Sequence, residues 1–306
     1  MKNLKILTFV LLQFFVLSSF AQTSLHIASY NIRNDNQGDA EKGNGWKSRL
    51  PVIAQLIQFN DFDVFGAQEV LNNQLNDLLQ HLPQYAHVGV GRDDGKTKGE
   101  YAPIFYNKNR FKIVQEGNFW LSETTDRPNK GWDAVLPRIC SYAKFEELDN
   151  GKTFWVFNLH LDHVGIIARE KSCELVLSQI KKIAGNETSL LMGDFNVDQN
   201  NKIYEILNKS GLLHDSYEIS PLKYALNGTF NAFDPNLMTD SRIDHIFVTS
   251  NVKVQSYAVL TDSYRSPQAV EAEIKKGDFP KELSFKDYTA RLPSDHFPVA
   301  VKIEIH

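Results

Sequence analysis

Eight strand-like runs, several too closely spaced for a helical crossover, constrain this chain more than any other feature. They are Leu25 to Asn31, Val64 to Glu69, Ala102 to Tyr106, Arg138 to Phe145, Phe154 to His160, Ser189 to Asp194, Asp244 to Thr249 and Pro298 to Ile305. All are rich in β-branched and aromatic residues, which suit a pleated, half-buried surface. Parallel neighbours need a long crossover, so short connections imply antiparallel pairing. Helical periodicity lies between some runs. It covers Trp46 to Phe59, Asn73 to Leu82 and, most clearly, Ala168 to Ala184, where Cys173, Val176, Ile180 and Ala184 recur at helical spacing. The simplest architecture is two packed, mostly antiparallel sheets with helices outside.

Composition supports a globular chain: 42% of the 306 residues are hydrophobic and 23% charged. No linker-like shift interrupts residues 22–306, which are expected to form a single domain. Residues 1–21 read differently. Lys2 and Lys5 precede an apolar run from Ile6 to Leu17, and Ser18, Ser19 and Ala21 supply small residues. That is the order of a secretory signal peptide, expected to be cleaved near Ala21. A secreted or periplasmic location, no transmembrane anchor and a monomer are therefore expected. Loss of Lys2 and Lys5 takes the formal charge from −4 to −6. Such a charge argues against a broad basic surface for nucleic acid, though not against a local phosphate site. Cys140 and Cys173 lie in strand-like and helix-like apolar stretches and are expected to be buried free thiols. No CxxC motif occurs.

Polar residues cluster at the ends of the strand-like runs. Asn31, Glu69, His160 and Asp194 close runs, whereas Asp244 opens one and Asp295 and His296 precede another. In antiparallel sheets the ends of some strands share a rim with the starts of others, so one rim can collect them. Converging carboxylates repel unless a cation lies among them. Carboxylate and amide oxygens are hard ligands that suit Mg2+ or Mn2+.

Six motifs occur in order: Ser29-Tyr30-Asn31-Ile32-Arg33, Gln68-Glu69-Val70, Asn158-Leu159-His160-Leu161-Asp162-His163, Gly193-Asp194-Phe195-Asn196, Arg242-Ile243-Asp244-His245-Ile246 and Ser294-Asp295-His296-Phe297-Pro298. Together they resemble the endonuclease/exonuclease/phosphatase superfamily, the fold of deoxyribonuclease I and exonuclease III. The stretch from Trp120 to Arg138 resembles a secreted bacterial branch of it. The resemblance implies an α/β (α+β) four-layered sandwich and metal-dependent hydrolysis of a phosphate ester. It implies that Asn31, Glu69 and Asp295 hold Mg2+ or Mn2+, and that Asp194 orients and deprotonates the attacking water. Asn196 and His160 would bond phosphoryl oxygens, with Glu100 as the acidic partner of His160. Arg138 would lie near the substrate phosphate, and His296, oriented by Asp244, would contact the scissile group. Asp194 and His296 both remain candidates for the general base.

The superfamily takes several substrate classes, so fold does not fix substrate. The first expectation is a nuclease-like phosphodiesterase with nucleic acid among its partners. The alternative is a lipid or sugar phosphate hydrolase, sphingomyelinase-like or an inositol-phosphate phosphatase. A non-catalytic binding module is disfavoured because every matched motif position carries a chemically competent residue.

Overall fold

The computed structural model describes residues 23–271, 280, 282–283 and 285–305. The proposed signal segment, with its cleavage point, lies outside the described residues. The described residues form fifteen strands and six helices. One sheet has seven strands: β1 (Thr23–Asn31), β2 (Val64–Gln68), β3 (Tyr85–Val88), β4 (Ile104–Asn107), β10 (Lys223–Tyr224), β12 (Val252–Val259) and β15 (Val299–Ile305), in the order β10-β12-β15-β1-β2-β4-β3. The other has six: β5 (Phe111–Trp120), β6 (Ile139–Glu147), β7 (Thr153–His160), β8 (Ser189–Asp194), β9 (Leu213–Asp215) and β11 (Asp244–Thr249), in the order β5-β6-β7-β8-β11-β9. A separate hairpin joins β13 (Tyr264–Glu271) to β14 (Lys286–Arg291).

The two-residue period of each strand sorts its side chains. On β1, Leu25 and Ile27 enter a central core shared with Val156, Leu190 and Met192 of the opposite sheet. Ala28 and Tyr30 face outward, where α2 (Trp46–Asn60) and α3 (Asn72–His81) cover them with Ile53, Ile57, Leu75 and Leu78. On the second sheet Trp155, Phe157 and Leu191 face outward and are covered by α4 (Ile166–Ala184) and α5 (Lys202–Asn208) through Val176, Ile180, Ile203 and Leu207. Helix, sheet, sheet and helix thus form the four expected layers. Cys140 and Cys173 are free and share the outer cluster beneath α4. Burial pushes both thiols well up from their ordinary value.

Pairing is mostly antiparallel. Two parallel pairs lie at the centre, one in each sheet: β1 with β2, and β7 with β8. Their crossovers are α2 and α4, the two longest helices, as a parallel connection requires. Gln68 and Asn158 meet inside the sandwich. Gln68 Nε2 donates to Asn158 Oδ1 at 2.7 Å, and Asn158 Nδ2 donates to the carbonyls of Ala67 and Pro103. This buried polar tie fixes one sheet against the other directly below the acidic rim.

Candidate active site

Backbone register assembles the core of the site. His160 pairs with Asp194 across the parallel β7–β8 ladder, and Asp194 pairs with Asp244 across the antiparallel β8–β11 ladder. Three functional side chains thus stand in one row at the end of one sheet. The other sheet brings Asn31 at the end of β1 and Glu69 just beyond β2, where the backbone turns left-handed, φ 60°. Asn31 spans the gap. Its Nδ2 donates to Asp194 Oδ2 at 3.0 Å and to Glu69 Oε1 at 3.1 Å.

The 294–296 turn completes the rim. Ser294 Oγ donates to the Asn31 carbonyl at 2.7 Å, and Asn231 N–H donates to the Asp295 carbonyl at 2.8 Å. His296 Nδ1 lies 2.8 Å from Asp244 Oδ2, and its Nε2 faces Asp194 Oδ2 at 3.8 Å. Burial disfavours charge on this imidazole, but Asp244 and then Asp194 outweigh it and raise the ring to about 10. Both ring nitrogens then carry protons. Asp194 is pushed up to about 7, chiefly by burial and by the neighbouring Asp244, against the pull of His296. His160 sits 3.5 Å from Asp194 on the other side. Burial, with the positive charges of Arg138 and Arg92, holds it well below its ordinary value and so neutral.

Two residues depart from expectation. Glu100 is not hydrogen-bonded to His160. It forms an ion pair with Arg92 at 2.6 Å and accepts from Asn34 Nδ2 at 3.3 Å, and His160 Nδ1 has no partner among the described residues. A guanidinium offers a carboxylate a stronger partner than a neutral imidazole does. Asn31 turns its amide nitrogen toward the carboxylates, while its oxygen accepts from the Arg33 N–H at 3.0 Å. In this orientation it bridges the acidic groups, and the same side chain turned over would present the oxygen of the expected ligand.

Glu69 and Asp295 suit a hard divalent cation. Asp295 is nearly buried, and burial with the added charge of Glu69 pushes its carboxyl up although His296 pulls the other way. These like-charged oxygen donors have the Arg33 guanidinium nearby, with Nη1 at 3.5 and 3.7 Å, and oxygen donors of this kind suit Mg2+ or Mn2+. Asp194, Asp244 and His296 also offer atoms within 4.8 Å of one another. There the imidazolium already balances the carboxylates, so the fit to a metal is better at Glu69 and Asp295.

A cavity of about 360 Å3 opens over the rim, lined by Glu69, Asp194, His160, His296, Arg138 and Phe230 among others. Arg138 is buried. Its Nε lies 3.3 Å from Asp162 Oδ2 and its Nη2 lies 3.0 Å from His163 Nδ1, while Nη1 has no partner among the described residues. Asn196, also left-handed at φ 51°, donates its N–H to Asp194 Oδ1 and its Nδ2 to the Leu161 carbonyl. Phe230 meets His296 edge-on at 5.1 Å between ring centres and is 42% exposed, which leaves a face for a ligand. Arg33, Asn34, His163 and Phe230 line the cavity without an expected role. Two of them, Arg33 and His163, stand inside the quoted motifs, beside residues with expected roles.

An acidic, histidine-bearing rim next to buried guanidiniums, on a four-layered sandwich, is the equipment of a phosphate-ester hydrolase. The endonuclease/exonuclease/phosphatase family matches residues 28–296. A family protein of known structure from Bacteroides thetaiotaomicron is 51% identical, with a TM-score of 0.87 over 94% of this chain and 100% of that one. A mannosyl-6-phosphatase of Bacteroides thetaiotaomicron is also 51% identical, with a TM-score of 0.84 over 91% of this chain and 99% of that one. The 3'-5'-exoribonuclease subunit of the CCR4-Not complex of Saccharomyces cerevisiae is 20% identical, over 85% of this chain but only 35% of its own length. The chain belongs to the endonuclease/exonuclease/phosphatase family, whose members hydrolyse phosphate esters.

Proposed function

We propose that this protein is an exported, divalent-metal-dependent phosphatase that removes phosphate from a phosphorylated sugar. The observation that carries the reading is the 51% identity to a mannosyl-6-phosphatase over 91% of this chain and 99% of that one. It favours the sugar-phosphate alternative over the nuclease-like one. Export rests on the basic, apolar and small-residue order of residues 1–21. Sequencing of native protein should find Gln22 at or near the N-terminus.

Each site group takes a role that its geometry supports. Asp194 is the base, because His296 is already protonated and cannot accept a proton. A carboxyl raised to about 7 is matched to proton transfer near neutral pH. His296 and the free Nη1 of Arg138 donate to oxygens on which charge grows. Neutral His160 adds a donor beside Asp194, and Asn196 holds Asp194 through its N–H. Glu69 and Asp295 would hold Mg2+ or Mn2+, which supplies neutralising charge at the phosphoryl group. The exposed face of Phe230 supplies an apolar platform for a sugar ring.

Release of inorganic phosphate from mannose 6-phosphate tests the reading against bis-p-nitrophenyl phosphate and single-stranded nucleic acid. Monoester hydrolysis should dominate, vanish with EDTA and return with Mg2+ or Mn2+. Asp194→Asn should lower kcat by about 10²- to 10⁴-fold. Faster cleavage of the diester or the nucleic acid would restore the nuclease-like reading. Undiminished turnover in chelator would exclude metal dependence.

A further inference from the structure

Arg33 has no part in the roles assigned so far, yet its side chain ends among the carboxylates suited to a divalent cation. Nη1 lies 3.5 Å from Asp295 Oδ2 and 3.7 Å from Glu69 Oε2. The position is built. The backbone at Arg33 is left-handed, φ 57°, a conformation that costs a non-glycine residue unless its surroundings enforce it. Here Asn31 Oδ1 accepts its N–H at 3.0 Å. Its carbonyl accepts from Gln74 Nε2 at 2.9 Å and from the fully buried Arg49 Nη2 at 3.0 Å. Asp39 Oδ2 then anchors Nε at 2.7 Å. Burial works against the guanidinium charge, and Asp39, Asp295 and Glu69 together more than offset it.

We propose that Arg33 is an internal cation that competes with the divalent metal for Glu69 and Asp295 and thereby sets metal affinity. The inference rests on the metal-dependent reading above. A fixed positive charge within 4 Å of two ligand oxygens offsets their negative charge and repels an entering dication. It also attracts anions, so a bound phosphate draws charge away from the carboxylates. Metal and phosphate should then strengthen each other's binding, a coupling that is reciprocal. Arg33 is in this sense a positioning residue for the metal pair.

The test is direct Mn2+ binding to the purified protein without substrate, read from the electron paramagnetic resonance signal of free Mn2+. Arg33→Gln and Arg33→Met should each bind Mn2+ about tenfold or more tightly than wild type. Inorganic phosphate should tighten Mn2+ binding more in wild type than in either variant. Arg33→Lys keeps the charge but shortens the reach, and should fall between wild type and the neutral variants. It is the variant to read if the neutral ones do not fold, circular dichroism serving as the check. Unchanged or weaker Mn2+ binding in folded variants would overturn the role of Arg33 and leave the metal-dependent reading standing. No Mn2+ binding by wild type would overturn both.

Discussion

His296 holds its imidazole between two carboxylates, Asp244 at 2.8 Å and Asp194 at 3.8 Å. Its value is raised from the ordinary 6.5 to about 10, against burial and because of those two charges. The sign of the linkage follows. A group protonated more readily in the folded chain adds stability that is complete below its unfolded value, and that stability is lost as pH rises through the folded value. The melting temperature should therefore fall between about pH 7 and pH 10, and Asp244→Asn should flatten that slope. Parallel slopes would show that the proton on His296 does not depend on Asp244. Losing the charged hydrogen bond should cost roughly 1.5–3 kcal/mol, or about tenfold to a hundredfold in rate if it acts in the transition state. Asp244→Asn and His296→Ala should each slow turnover to that extent or more, and the double variant should be little worse than His296→Ala alone. Fully multiplicative losses would mean that the two side chains act separately. This pair was legible in the sequence because both residues stand at strand starts in matching motifs. The exchange at Glu100 was not, because Arg92 lies eight positions away in a loop and only the fold brings the guanidinium onto that carboxylate. The place of Arg33 was equally hidden, since its direction depends on a left-handed backbone that no spacing pattern announces.

At the scale of the element, the chemistry is carried by strands and its register by their ladders. Gly193 is a tight point of the β7–β8 ladder. A Cβ there would lie 2.1 Å from the Leu159 carbonyl oxygen of β7, and its φ of 152° already disfavours other residues. Gly193→Ala should push β7 and β8 apart beside the His160–Asp194 pair. A loss of about 2–4 kcal/mol in denaturant stability is expected, together with most of the activity. A variant as stable and active as wild type would show that the ladder does not set the site. The eight runs read from sequence all contain or become strands, because burial on both faces leaves continuous apolar stretches. The weaker strands escaped that reading for the same reason inverted. β5 lies at a sheet edge, and its Gln115 and Glu116 are exposed, so polar residues break its pattern. The central parallel pairs were also missed. Periodicity marks α2 and α4 as helices but does not say that the strands flanking each one become neighbours.

For the molecule as a whole, layer order was legible because each strand alternates between a central core and a helix-covered face. Substrate class was not, because the cavity walls come from loops such as those bearing Leu136 and Phe230, whose sequences carry no periodic constraint. No helix among the described residues is long and apolar enough to cross a membrane. The bond from Asn31 to Asp194 joins one sheet to the other at 3.0 Å, and a hydrogen bond of that length does not survive stretching by an ångström. The site therefore behaves like a strain gauge mounted across a joint. Small sliding of one layer over the other, far short of melting, would misalign Asp194 while leaving helices and strands intact. On gradual heating, turnover should decline several degrees below the midpoint seen by far-ultraviolet circular dichroism, and it should recover on cooling. Coincident curves would show that the joint does not slip before it breaks. Selection for activity in such a protein acts on the stiffness of the seam between its sheets as well as on the residues beside it.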